Sequence, residues 1–255
     1  MRLTPRAWHE RLGHLNMSDV LEMSRKKVVR GMKLSNQRNP GPCSTCREGK
    51  FTSIPFSRRS ERRTKLLEIV HADVCGPMRT ELRGRKKYFV TFIDDCSRWC
   101  EIRFLHNKRD VFKAFKEYKA YVEKLTGKNI LCLQSDNGGE FTSTEFNTYL
   151  SEQGVRRRLT VPYTPQQNGV AERKNRTLME MARCMLIQSR LSTSFWAEAV
   201  FTANYIRNRC ISKSLDKKTP YTIWHGEAPN LRGLRTFGEA GHYLHKDPCL
   251  GKTDP

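Results

Sequence analysis

Three acids in this chain have the type and spacing for phosphoryl chemistry. Asp73 lies in HADVCGPM, Asp136 in QSDNGGEF and Glu172 in NGVAERKNR, with 35 residues between the last two. Carboxylates are hard oxygen ligands and suit Mg²⁺ or Mn²⁺ better than zinc. Three of them meeting could hold two such ions, which activate an attacking oxygen and stabilise a leaving one during in-line attack on a phosphodiester. Each acid also has a plain structural reading. Asp73 could cap a turn before Gly76-Pro77, Asp136 could form an Asx-turn before Asn137-Gly138, and Glu172 could pair with Arg176 on an amphipathic helix. Asp94 and Asp95 compete for the metal role, with a turn or an ion pair to Arg98 as the favoured reading. His71 reads as a strand residue rather than a ligand.

A second set of residues suits a different metal. His9 and His14 stand five apart in WHERLGHLN, and 28 residues separate His14 from the CSTC knuckle of Cys43 and Cys46. Pro40, Gly41 and Pro42 precede that knuckle as a tight turn. Two imidazoles and two thiolates form a four-ligand set for tetrahedral Zn²⁺, structural because no position stays open. The alternative is two free thiols and two incidental histidines. Residues 1–63 carry 15 Lys and Arg against five acids, end in the charged run Arg58–Arg63, and hold few large apolar residues. Most of the folding energy of such a segment would come from the ion.

The elements that must position these residues follow from periodicity. Leu66–Val74 reads as a strand ending at Cys75-Gly76-Pro77, Tyr88–Ile93 as a second and Trp99–Leu105 as a third. A helix is expected over Asp110–Leu125, with Val111, Phe115, Tyr118, Val122 and Leu125 on one face and Gly127 as its stop. A buried strand over Asn129–Leu133, a short helix over Ser143–Glu152 and a strand near Val155–Val161 follow. Pro162 and Pro165 keep the next stretch extended, and Asn168-Gly169 starts a long helix reaching Ser189. Its Leu178, Met181, Ala182, Met185 and Leu186 form an apolar stripe, while Glu172, Arg176 and Arg183 line up beside it. Phe195–Arg209 reads as a further helix with a packing role, followed by an aromatic-bearing loop around Trp224. The order of strands and helices fits an open α/β sheet, and it puts Asp73 and Asp136 at strand ends, where such sheets carry their sites.

Composition agrees with an anionic partner. The 255 residues hold 47 Lys and Arg against 26 acids, a formal charge of +21, and phosphate neutralisation dominates nucleic-acid binding. A ribosomal-type or membrane-surface protein is the competing reading of the charge alone. The odd count of nine Cys, only two at ligand spacing, suggests reduced, intracellular usage. No apolar signal region opens the chain and no run of 18 apolar residues occurs, so a soluble protein off the secretory route, without membrane contact, is expected.

The wording of several motifs goes further. HADVCGPM, FVTFIDDCSRW, SDNGGEF, YTPQQNGVAERKNRTLMEMAR and SFWAEAV resemble the Copia class of LTR-retrotransposon Pol polyproteins, and the spacing of Asp73, Asp136 and Glu172 resembles the D,D-35-E signature of integrases. The resemblance spans essentially the whole chain. It implies a pre-integrase zinc-binding domain with basic linker over 1–63, an RNase H-like integrase core with a mixed five-stranded sheet over 64–191, and a helical extension over 192–255. It implies that Asp73, Asp136 and Glu172 are catalytic and hold Mg²⁺ or Mn²⁺, and that His9, His14, Cys43 and Cys46 hold Zn²⁺. By the same resemblance Gln166, Asn168 and Arg176 approach DNA. The usual FGC-type strand is departed from at Phe237-Gly238-Glu239, and the chain would be a piece of a polyprotein or a decayed copy.

The expected activity is a metal-dependent polynucleotidyl transfer joining element cDNA 3′ ends to target DNA. Homo-oligomers, nuclear action during integration and a cytoplasmic particle beforehand follow from that expectation. Two rivals stay open: a fragment that binds DNA without catalysis, and a nuclease on the same fold that cuts without joining.

Overall fold

The computed structural model describes residues 2–50, 65–80, 85–159 and 168–241. Its centre is a five-stranded sheet in the order β3-β2-β1-β4-β5, formed by β1 Val70–Cys75, β2 Tyr88–Asp94, β3 Cys100–Leu105, β4 Cys132–Ser135 and β5 Arg156–Leu159. The first three strands form an antiparallel meander, and β4 and β5 add in parallel to β1. This is the mixed sheet expected from the sequence. Parallel addition needs crossovers, supplied by α4 Val111–Thr126 and by α5 Gly139–Thr142 with α6 Thr144–Glu152.

Alternation along the strands separates two apolar layers. Val70 and Ala72 of β1 and Val90 and Phe92 of β2 face the layer built on α4 and α6, with Phe115, Tyr118, Phe146 and Leu133. Phe89 and Ile93 face the other layer, which contains α7 Gly169–Ser189 and α8 Trp196–Arg209. The same period turns Asp73 toward α7.

The second layer, on α7 and α8, also takes in the N-terminal segment. Trp8, Leu12 and Leu15, around α1 Pro5–Arg11, and Val20 and Met23 of α2 Met17–Arg25 are buried in one cluster with Leu178, Met181, Met185 and Ala199. A third short helix, α3 Ser44–Gly49, lies against α7. No helix among the described residues is long and apolar enough to cross a membrane.

Several expected boundaries move. The first strand begins at Val70 rather than Leu66, because Leu67 has φ 62° and its N–H donates to Asp94 Oδ1 at 2.7 Å, which holds residues 65–68 as a turn. The fourth strand covers Cys132–Ser135 rather than Asn129–Leu133, and Leu131 is exposed. Leu125 is also exposed, one turn past the point where α4 leaves the core, although Gly127 ends that helix in the left-handed conformation as expected. Around Trp224 the chain forms a helix, α9 Pro220–His225, capped by Thr219, instead of a loop. The region of Pro162, Pro165 and Val161 and the run Arg58–Arg63 lie outside the described residues.

Candidate active site and metal centre

Pairing of β1 with β4 puts His71 opposite Gln134 in parallel. Two residues further along each chain come Asp73 and Asp136, so the register carries both acids to the same edge of adjacent strands, which run about 4.8 Å apart. Glu172, in the first turn of α7, lies near enough for its charge to act on Asp73 and for that of Asp136 to act on it. The three carboxylates sense one another. Burial first, then the charge of Asp136, pushes Asp73 up to about 6, and Glu172 adds to that rise. Burial and Asp136 also raise Glu172, against the pull of Arg173 and Arg176. Mutual repulsion among partly desolvated carboxylates is relieved by a cation, so the donor set fits a hard divalent ion.

The acids are held by neighbours. Asn175, one turn beyond Glu172, donates from Nδ2 to Asp73 Oδ2 at 2.9 Å and accepts at Oδ1 from the Thr91 hydroxyl at 2.9 Å. Thr91 is the register partner of Asp73 on β2. Asp136 does form the Asx-turn, with Gly138 N–H donating to its Oδ1 at 3.1 Å. A Cβ at position 138 would lie 3.1 Å from that oxygen and 2.8 Å from the Glu140 carboxylate, so the acid loop accepts only glycine there without shifting.

The competing acids take structural roles. Asp94 accepts from Leu67 N, Ser97 N and the Ser97 hydroxyl at 2.6–2.7 Å. Asp95 bridges Arg98 at 2.8 Å and His71 Nε2 at 2.9 Å. His71 is therefore a paired strand residue. Burial and the Asp73 charge push the Cys75 thiol to about 11, which keeps it protonated beside the acids.

Of the residues expected near DNA, Arg176 is exposed one turn from Glu172. Asn168 differs: it is 1% exposed and its amide donates to Ala72 O at 3.5 Å, so it holds the start of α7 on β1 rather than presenting a free face. Gln166 lies outside the described residues.

The second donor set assembles as the sequence predicts. Ligand atoms of His9, His14, Cys43 and Cys46 lie within 4.8 Å of one another, the one such group among the described residues. On the backbone, His9 belongs to α1 while His14 lies past its end with φ 61°, and Cys43 occupies the N-cap position of α3. Arg6 fastens the knuckle by donating to the carbonyls of Pro40, Gly41 and Pro42 at 3.0–3.4 Å. Tetrahedral bonds of about 2.0–2.3 Å place ligand atoms roughly 3.3–3.8 Å apart. Here His14 Nδ1 is 3.1 Å from His9 Nε2 and 3.5 Å from Cys43 Sγ, and Cys46 Sγ is 3.3 Å from His9 Nε2.

Tautomers decide the fit. His9 Nδ1 faces Leu15 O at 2.6 Å and His14 Nε2 faces Gln188 Oε1 at 2.7 Å, both acceptors, so both outer nitrogens carry the proton. The two inner nitrogens then aim lone pairs at each other across 3.1 Å, an arrangement that a shared cation makes favourable. Zinc fits these residues.

Sequence reasoning missed Asn175 and Gln188. Both are polar residues on the core-facing side of α7, and that is the signal which would have found them: a buried amide among apolar neighbours needs a partner.

Comparison with known proteins matches residues 63–165 to the integrase core domain and residues 3–51 to the GAG-pre-integrase domain. A retrovirus-related Pol polyprotein from transposon TNT 1-94 of Nicotiana tabacum is 43% identical over 91% of this chain, and that from transposon RE1 of Arabidopsis thaliana is 31% identical over 93%. The chain belongs to the Copia-type retrotransposon Pol polyproteins. It spans 17% and 16% of the length of those two relatives. A chain from the cryo-EM structure of the simian T-cell lymphotropic virus intasome in complex with PP2A regulatory subunit B56 gamma superposes with a TM-score of 0.55 at 15% identity, covering 96% of this Pol segment and 81% of that chain. That likeness concerns the fold, which is the RNase H-like integrase core with its flanking helices and a His/Cys cluster that fits zinc.

Proposed function

We propose that this Pol segment joins the 3′-hydroxyl ends of element cDNA to target DNA, with Asp73, Asp136 and Glu172 as its catalytic acids. The observation that carries the reading is the parallel β1/β4 register, which brings Asp73 and Asp136 abreast, with Glu172 close enough to feel the charge of Asp136 and to act on Asp73. Bound Mg²⁺ or Mn²⁺ would supply Lewis-acid chemistry at the attacking and leaving oxygens of the phosphodiester. The chain's own part is to fix the acids. Asn175 orients Asp73 from α7, the Asx-turn orients Asp136, and the helix start sets Glu172. Arg176 stands beside Glu172 to meet a phosphate, and the net charge of +21 favours DNA as the partner. The 3′-oxygen is the nucleophile, so no covalent enzyme intermediate is required. Action as a homo-oligomer, in the nucleus, belongs to the same proposal.

A strand-joining assay with element-end oligonucleotides and Mg²⁺ or Mn²⁺ tests it. Metal-dependent products longer than the labelled strand are expected, and Glu172→Gln should reduce them at least 100-fold while leaving the circular dichroism spectrum unchanged. Joining by Glu172→Gln at the unaltered rate would remove that residue from the site. Shorter products alone would indicate cleavage without transfer.

A further inference from the structure

A cavity of about 250 Å³ lies on the flank of α7, between that helix and the connection from α8 to α9. Arg98, Arg173, Lys174 and Arg207 contribute to its wall, together with the hydroxyls of Ser212 and Ser214, and no carboxylate is among its described lining residues. Asp95 balances Arg98 from outside the wall at 2.8 Å. Arg207 spends one guanidinium nitrogen on Ile211 O at 2.9 Å. Lys174 has a poorer partner, the side-chain oxygen of Asn208 at 3.4 Å.

A net charge of +21 scatters solvated lysines and arginines over the surface, and those need no explanation. Lys174 is not one of them. Its side chain is half-buried in the cavity wall, beside Arg173 and Arg207. Four cations gathered around one cavity repel one another unless an anion completes the group. Guanidinium forks and hydroxyls together match the oxygens of phosphate better than a single carboxylate.

We propose that this cavity is a phosphate-binding site, distinct from the acid cluster, that takes a group carrying two or more negative charges. Two sources share that chemistry, the backbone of a DNA duplex and a free polyphosphate. The site stands whether or not the chain joins DNA, because its ligand is bound and not transformed.

Isothermal titration of the zinc-loaded full chain with inorganic tripolyphosphate tests the proposal. Saturable binding of one equivalent is expected. Arg173→Gln and Lys174→Gln should each weaken it at least tenfold. Lys113→Gln, which removes the same single charge from the exposed side of α4, should leave it unchanged. Arg173 is exposed, so its variant folds even if loss of Lys174 disturbs packing. Absence of saturable binding, or equal weakening by Lys113→Gln, overturns the proposal. Glu172→Gln should bind tripolyphosphate as the parent does, which separates this site from the joining reaction. Displacement of tripolyphosphate by a short duplex assigns the site to backbone phosphate, and simultaneous binding of both assigns it to a free polyphosphate.

Discussion

The carboxyl of Asp73, raised to about 6 from an ordinary 3.8, makes the acid cluster sensitive to pH. Between those two values the folded, metal-free chain holds more protons than the unfolded one, so stability falls as pH rises through that window. Above about 6 the group stays ionised at a cost that a divalent cation removes. Mg²⁺ should therefore raise the melting temperature at pH 7.5 and have much less effect at pH 5, as differential scanning fluorimetry would show. Asn175 opposes the rise by donating to Asp73. Asn175→Ala should push Asp73 higher still, leave the Thr91 hydroxyl short of its acceptor, and lose about 1–3 kcal/mol of stability. Its Mg²⁺ midpoint at pH 7 should move to higher concentration; an unchanged midpoint would leave Asn175 a packing role only. The three acids and the four His/Cys donors could be singled out because their residue types have few reasons to recur at those spacings. Asn175 and Gln188 were not, since an amide within a helix reads as solvent-facing until its neighbours across the core are known.

At the level of elements, the long helix α7 does two jobs with its opposite ends. Its first turns carry Glu172 and Asn175 to the sheet, and its last turn carries Gln188 to His14. Gln188→Ala should leave His14 free to rotate and weaken zinc binding about 10–100-fold, measured by competition with a chromogenic chelator. The helix itself was readable from its uninterrupted stripe, as was the stop of α4 at Gly127, whose φ of 64° suits a residue without a side chain. Strand limits were less readable. Leu66 and Leu67 are as apolar as a strand, and the hydrogen bond from Leu67 N–H to Asp94, formed across 27 residues, helps hold them in a turn. The parallel register of β1 with β4, on which the acid cluster depends, has no local signal at all, because it is set by packing on both faces.

Across the whole molecule, the N-terminal His/Cys segment and the integrase core share one apolar layer. Gly13, at φ 59°, comes so close to α7 that a Cβ there would lie 2.8 Å from Met181 Cε, and Gly49 packs against Cys184 in the same way. Trp8, Leu12, Leu15, Val20 and Met23 are all buried. At roughly 1.5–3 kcal/mol for each apolar side chain, that burial is comparable to the net stability of an entire domain. Stripping zinc with a chelator should therefore lower a single calorimetric transition of the full chain, whereas two independent transitions would show that the segments unfold separately. The same layer is closed from the far end of the chain, where Arg30 forms a bridge with Asn230 and Leu231 joins the cluster of Trp8. A ribosome adding about 5–20 residues per second needs roughly 10–40 s to travel between those two positions. For that interval the helices around Trp8 wait with their greasy side bare, which makes them natural clients for chaperones.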